Sequence, residues 1–285
     1  MSARRAEGAN IERLSAMIYQ DENGLLLLRS DKLGERDWRS DHTYKLIFGS
    51  KGGGTYQTHC RDLTIGQREF VIFNPLQEHR QLHMSEEKFL IELDQDLLKN
   101  AAVGLGVTCR EMEFAAVSYY HPQIDRWACF VREFIGWNSE KPDEVNQLLV
   151  ENSFTQLAIL MVQYGLGKHQ ETMPEVVQDE VLKQVIDAIK QSYEQDWTLD
   201  GMAEVARLNK YQFAHLFKER TGISPYSWLQ LYRLIRSQPD LFHTDRTILE
   251  IAMAHGFKNV SAYIRLLKKV YGTTPSDFRT TSRFD

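Results

Sequence analysis

Thirteen residues of this chain recur at a constant distance, and that recurrence limits what its last third can become. Phe213-Ala214-His215-Leu216-Phe217-Lys218-Glu219-Arg220-Thr221-Gly222-Ile223-Ser224-Pro225 lines up with Tyr263-Ile264-Arg265-Leu266-Leu267-Lys268-Lys269-Val270-Tyr271-Gly272-Thr273-Thr274-Pro275, an offset of 50. Upstream, Met202-Ala203 corresponds to Ile251-Ala252 with one residue fewer between them. A duplication of this size implies one supersecondary unit used twice. Each copy reads as helix, tight turn, helix and a Gly-x-x-Pro stop. In the first, Leu199, Met202, Ala203 and Ala206 form a small-residue face. Asn209 then caps a helix with Phe213, Leu216 and Phe217 inward and Lys210, Tyr211, Gln212 and His215 outward. In the second, Ile248, Ile251 and Ala252 precede a turn at Gly256. Tyr263, Leu266 and Leu267 then face inward, with Lys258, Val260, Ser261, Arg265 and Lys268 outside. Two short helices with a small-residue crossing and a polar second helix form a helix-turn-helix, whose second helix fits the DNA major groove.

Charge supports a polyanionic partner for this part. The net charge is −5, but residues 205–285 carry 13 Lys and Arg against 6 Asp and Glu, a balance of +7, leaving −12 on residues 1–204. A length of 285 residues suits two domains. Cys60, Cys109 and Cys129 are odd in number and far apart, which reads as reduced thiols in a cytoplasmic protein rather than a disulfide framework or structural zinc site. No apolar run reaches membrane-spanning length, and no apolar segment follows Met1-Ser2-Ala3-Arg4-Arg5, so neither a membrane location nor secretion is expected.

From Gly24 to about Leu93 short strands alternate with turns, suggesting a small sandwich or barrel. Residues 42–48 place His42, Tyr44, Leu46 and Phe48 on one face. With Trp38 and Asn74 nearby in sequence, His42, Tyr44 and Phe48 form a candidate small-molecule pocket. Beyond residue 120 the period becomes helical: Ile124, Trp127, Val131 and Phe134 mark one helix. Val150, Phe154, Leu157, Met161 and Tyr164 mark a second, opened by Pro142, and their 4-3-4-3 rhythm suggests a seam with a second copy of the chain. Residues 165–179 lose periodicity. The expected fold is therefore α+β in two domains: residues 1–167 sensing and dimerising, a linker at 168–178, and an all-α DNA-binding domain at 179–285.

Gly256-Phe257, Ile251-Ala252, Leu267-Lys268-Lys269 and Tyr271-Gly272-Thr273-Thr274-Pro275-Ser276-Asp277-Phe278-Arg279 resemble the signature of AraC/XylS-family transcription regulators. Phe217 to Pro225, followed by Arg233-Leu234, resembles the family's other half. The resemblance covers about residues 180–280, and the N-terminal strands are similar in layout to the family's cupin-like sensor. It implies a regulator that binds double-stranded DNA and senses a small-molecule effector; a homodimer is expected from the helical rhythm above, and the expected role is that of an activator working with RNA polymerase, activation or repression depending on where its sites lie relative to a promoter. It also implies two recognition helices in successive major grooves, with Tyr211, Gln212, His215, Val260, Ser261 and Arg265 facing bases. Gln suits adenine and Arg suits guanine, so Gln212 and Arg265 are the preferred specificity residues. Lys210, Lys218, Lys258, Lys268 and Lys269 are placed for phosphates. Leu267 stands where the family usually has Phe, and Ser237 where it has Ala. Pro239 should end the connecting helix at or before Gln238, because an interior proline costs about 3 kcal/mol.

Two other functions have less support. A regulator of the same kind could answer to a protein partner instead of a small molecule. His42, His59, His79 and His83 raise a metal-dependent cupin enzyme, but the His-x-His pattern is absent, and His79-x-x-x-His83 follows Asn74-Pro75 in what reads as a loop. Lys51-Gly52-Gly53-Gly54 lacks the ending of a phosphate-binding loop, and there is no nucleophile elbow. No cofactor, metal or catalytic residue is expected.

Overall fold

The computed structural model describes residues 16–31, 33–107, 112–137, 143–170, 173 and 179–283. Cys109 and Pro142, and most of the expected linker, lie outside these. Eight strands among the described residues form two antiparallel sheets. The larger has β1 (Ala16–Gln20), β2 (Gly24–Arg29), β8 (Lys88–Leu93), β3 (Tyr44–Phe48) and β6 (Phe70–Phe73), in that order. The smaller is β5 (Arg61–Ile65), β4 (Gly54–Thr58) and β7 (His79–Met84). Helices α1 (Gln95–Gly104), α2 (Pro122–Trp137) and α3 (Asp143–Tyr164) complete this part, with α3 packed on α1, α2 and β1.

β3 is buried on both faces, not half-buried. Tyr44, Leu46 and Phe48 join the core beneath the helices, while Ile47 packs with Tyr56 and Leu63 between the sheets. The segment from His79 is a strand and not a loop. A bulge between Thr55 and Tyr56 shifts its register, so that His79 is buried while His83 is exposed. The two histidines thus point apart.

The dimer expectation fails for the residues that carried it. Val150, Phe154, Leu157 and Met161 are at most 1% exposed and sit in the chain's own core; Tyr164 is half-buried and stacks on His121. Their rhythm comes from contacts with this domain's helices and sheet, so they are not available to a partner.

In the C-terminal part, α4 (Glu180–Gln191) starts on Asp179, whose side chain accepts from the Val181 and Leu182 amides. Then come α5 (Leu199–Val205), α6 (Lys210–Thr221), α7 (Pro225–His243), α8 (Ile248–Ala254), α9 (Val260–Tyr271) and α10 (Pro275–Arg283). Contrary to expectation, α7 runs straight through Pro239. Burial of Leu234, Ile235 and Leu241 offsets the proline, as does tethering on the same turns: Ser237 Oγ lies 3.0 Å from Tyr263 Oη, and Gln238 donates to Tyr271 Oη at 2.8 Å. The departure from Ala at Ser237 thus joins α7 to α9.

A strap without regular structure, residues 112–121, connects the two parts. Asn74 holds Phe114 through two hydrogen bonds of 2.8 Å, and Tyr119 exchanges backbone bonds with Phe70. On its other side the Ala116 amide donates to Val270 O at 3.0 Å, and the Tyr120 backbone abuts Gly222. Among the described residues, no helix is long and apolar enough to cross a membrane.

Candidate nucleic-acid interface

Both repeat copies build the same local structure for the same reasons. α5 and α8 each span 7 residues, and α6 and α9 each span 12. Asn209 Oδ1 accepts from the Tyr211 and Gln212 amides at 3.1 and 2.9 Å, and Asn259 Oδ1 from the Ala262 amide at 2.8 Å. Each second helix ends on a left-handed glycine, Gly222 at φ 79° and Gly272 at φ 77°. Their amides close on Lys218 O and Lys268 O. At the turn, the left-handed position is Arg207 (φ 54°) in one copy and Gly256 (φ 77°) in the other. Glycine is required at the second, because a Cβ there would meet the Glu194 backbone at 2.5 Å.

Inward residues lock each helix. Phe213, Phe217, Tyr263 and Leu267 are fully buried, and Arg233 on α7 donates to Tyr193 O and Gln195 O at 2.7 and 2.6 Å. The outward face is left open. Tyr211 is 78% exposed, and Gln212, His215, Ser261 and Arg265 are also exposed. Val260 is half-buried and packs partly on the core, leaving less of it for a base. Ile264, 37% exposed on the same face, escaped the sequence reading; an apolar residue at an outward helical position was its signal.

The expected phosphate lysines are exposed but not equivalent. Lys210 lies 3.6 Å from Asp200, and Lys258 3.3 Å from Asp196. Exposed pairs of this kind are weak and exchange readily for a phosphate. Lys218 and Lys268 have no acidic partner among the described residues. Lys269 differs in its surroundings: partial burial and the nearby Arg61 of β5 lower its pKa.

The five expected pocket residues are not brought together. Trp38 stacks on His59 at 4.4 Å, and His42 is exposed. Tyr44 Oη donates to Met112 O at 2.6 Å, Phe48 packs between Phe89 and Trp127, and Asn74 is occupied with Phe114. The four histidines do not converge either: His59 pairs with Glu78 at the surface, and His79 stacks on Phe73 at 4.2 Å.

The sequence of this region is similar to that of known proteins. A helix-turn-helix domain family matches residues 202–281. The TetD protein of transposon Tn10 from Escherichia coli is 34% identical over 99 residues, 35% of this chain and 72% of that protein. An uncharacterized HTH-type transcriptional regulator from Haemophilus influenzae is 22% identical over 288 residues, 90% of this chain and 94% of its own length. Among solved structures, the DNA-binding domain of AdpA, a global transcriptional factor in complex with a target DNA, is 23% identical. It covers 37% of this chain and 96% of that one, with a TM-score of 0.36.

Proposed function

The chain belongs to the AraC/XylS family of transcription regulators, and on that premise we propose that α6 and α9 enter successive major grooves on one face of the DNA. It is a DNA-binding transcription regulator. The observation that carries the proposal is the matched pair of recognition helices: equal in length, capped alike, and offering Tyr211, Gln212 and His215 on one and Ser261 and Arg265 on the other. Lys210, Lys218, Lys258 and Lys268 hold phosphates beside them. The N-terminal sandwich, cupin-like in layout, senses a small-molecule effector and carries the dimer contact on residues outside the core of α3. The protein acts as an activator that engages RNA polymerase.

Selecting the full chain's binding sites from a pool of random duplexes tests the two-helix reading. Two short preferred blocks should emerge, centred about 10 bp apart, one helical turn. A single preferred block, or blocks whose spacing varies freely, would contradict it.

A further inference from the structure

The two copies of the repeat part company at the turn before the second recognition helix. The α5–α6 turn occupies residues 206–209, whereas the α8–α9 turn is one residue longer, 255–259. The left-handed position is Arg207 in the first and Gly256 in the second. Neither change follows from the helices themselves, which have the same lengths and the same Asn cap in both copies.

The longer turn meets the segment 192–197, which joins α4 to α5. A Cβ on Gly256 would lie 2.5 Å from Glu194 O, so the two backbones pack directly. Beside them Tyr193 Oη lies 3.3 Å from His255 Nδ1, with the two rings stacked at 6.0 Å. His255 is held in turn by α7, its Nε2 3.1 Å from Asp240 Oδ2. The segment is fixed to α7 as well: the buried Arg233 guanidinium donates to Tyr193 O and Gln195 O, and the Tyr193 ring meets Tyr232 edge-on at 5.3 Å. Internally it is closed by bonds from the Gln195 amide and Trp197 Nε1 to Ser192 O. The next residue, Thr198, caps α5. A rigid piece that leads straight into the first unit is thus pressed against the second and fastened to the helix between them. Such a triangle holds an angle as well as a distance, which one connecting helix does less well.

We infer that the 192–197 turn is a spacer, keyed by Tyr193, that sets the separation and angle of α6 and α9 and hence the spacing of DNA blocks that one subunit accepts. Tyr193 is a positioning residue, acting through His255 and the Gly256 backbone. The inference deepens the two-groove reading above and rests on it. The strap also touches both units, but at Gly222 and Val270, the C-terminal ends of the recognition helices. The turn instead bears on the N-terminal side of α9, the end of a recognition helix that approaches base edges. One inserted base pair moves the second groove by about 3.4 Å and about 35°. A brace raises the effective concentration of the second unit at one spacing and lowers it at the others.

The test titrates the full chain against the selected duplex, the same duplex with one or two base pairs inserted between its blocks, and one with a single block scrambled. The wild type should lose on the order of tenfold or more at the first insertion. Tyr193→Ala should bind the uninterrupted duplex several-fold more weakly, yet lose only about threefold or less on insertion. On the single-block duplex it should match the wild type. Tyr193→Phe, which keeps the ring, should stay closer to the wild type. Gly256→Ala pushes on Glu194 from the other side and removes no side chain; it should relax the spacing too, and it decides the matter if Tyr193→Ala does not fold. Wild-type insertion penalties in both variants would overturn the inference and assign the spacing to α7 and the strap. Equal losses on the single-block and two-block duplexes would also overturn it, reducing the turn to support for the fold. A wild type that tolerates insertions would instead refute the two-groove reading, and the inference with it.

Discussion

Leu157→Glu unfolds the N-terminal domain instead of releasing a folded monomer. Leu157 is fully buried on α3, one turn from Phe154 and Met161, and α3 packs on α1, α2 and β1. A glutamate there loses the leucine's packing and places a carboxylate where the neighbouring core residues are apolar. The expected loss is on the order of 4–5 kcal/mol, against a typical domain stability of about 5–15 kcal/mol. Thermal melts followed by circular dichroism should show the N-terminal transition lost or sharply lowered. A folded variant sedimenting as a monomer would return Leu157 to a subunit seam.

Gly222→Ala and Gly272→Ala should differ sharply although both replace a helix-ending glycine. Each position has a left-handed backbone, φ 79° and 77°, so alanine costs both about 1–2 kcal/mol of conformational strain. At Gly272 a Cβ meets nothing within 4 Å. At Gly222 it would lie 2.2 Å from the Tyr120 amide nitrogen and 2.5 Å from Tyr120 Cβ. The strap cannot yield there, because the neighbouring Tyr119 is held to Phe70 by backbone bonds of 2.9 and 3.1 Å. Gly272→Ala should lower Tm by a few degrees and leave the dimensions of the molecule unchanged. Gly222→Ala should also part the DNA-binding domain from the strap, seen as a larger radius of gyration in small-angle scattering and faster proteolysis between the domains. Equal behaviour of the two variants would mean that the domains do not dock through Gly222.

What could be read from sequence differs between the two parts for physical reasons. The recognition helices were legible because their signals are local: Asn209, Gly222, Gly272 and the proline stops determine where the chain turns, whatever surrounds it. The strap was not, since residues 112–121 have no period and their bonds to Phe70, Leu166 and Val270 come from distant segments. α3 misled for a related reason. A helix covered by a sheet and two other helices is apolar over much of its circumference, and its inward strip imitates a seam for a partner. Tyr44 and Phe48 imitated pocket residues because strand alternation shows that a face is buried but not what covers it.

Reading and holding DNA separate in one comparison, Arg265→Ala against Lys268→Ala. Both residues are exposed on α9, whose core is made by Tyr263 and Leu267, so both variants should fold normally. An Arg side chain can bond the O6 and N7 of a guanine together, whereas Lys268, near the end of the helix, is proposed to contact a phosphate. The decisive measurement is a competition titration of both variants and the wild type against selected and scrambled duplexes at two salt concentrations. Arg265→Ala should cost about 1–3 kcal/mol on the selected duplex and much less on the scrambled one. Lys268→Ala should weaken both alike and reduce the salt slope by about 1, from a wild-type value of about −5 to −7 expected for roughly six to eight phosphate contacts. Equal losses on both duplexes for Arg265→Ala, or a wild-type slope near zero, would contradict base reading by α9.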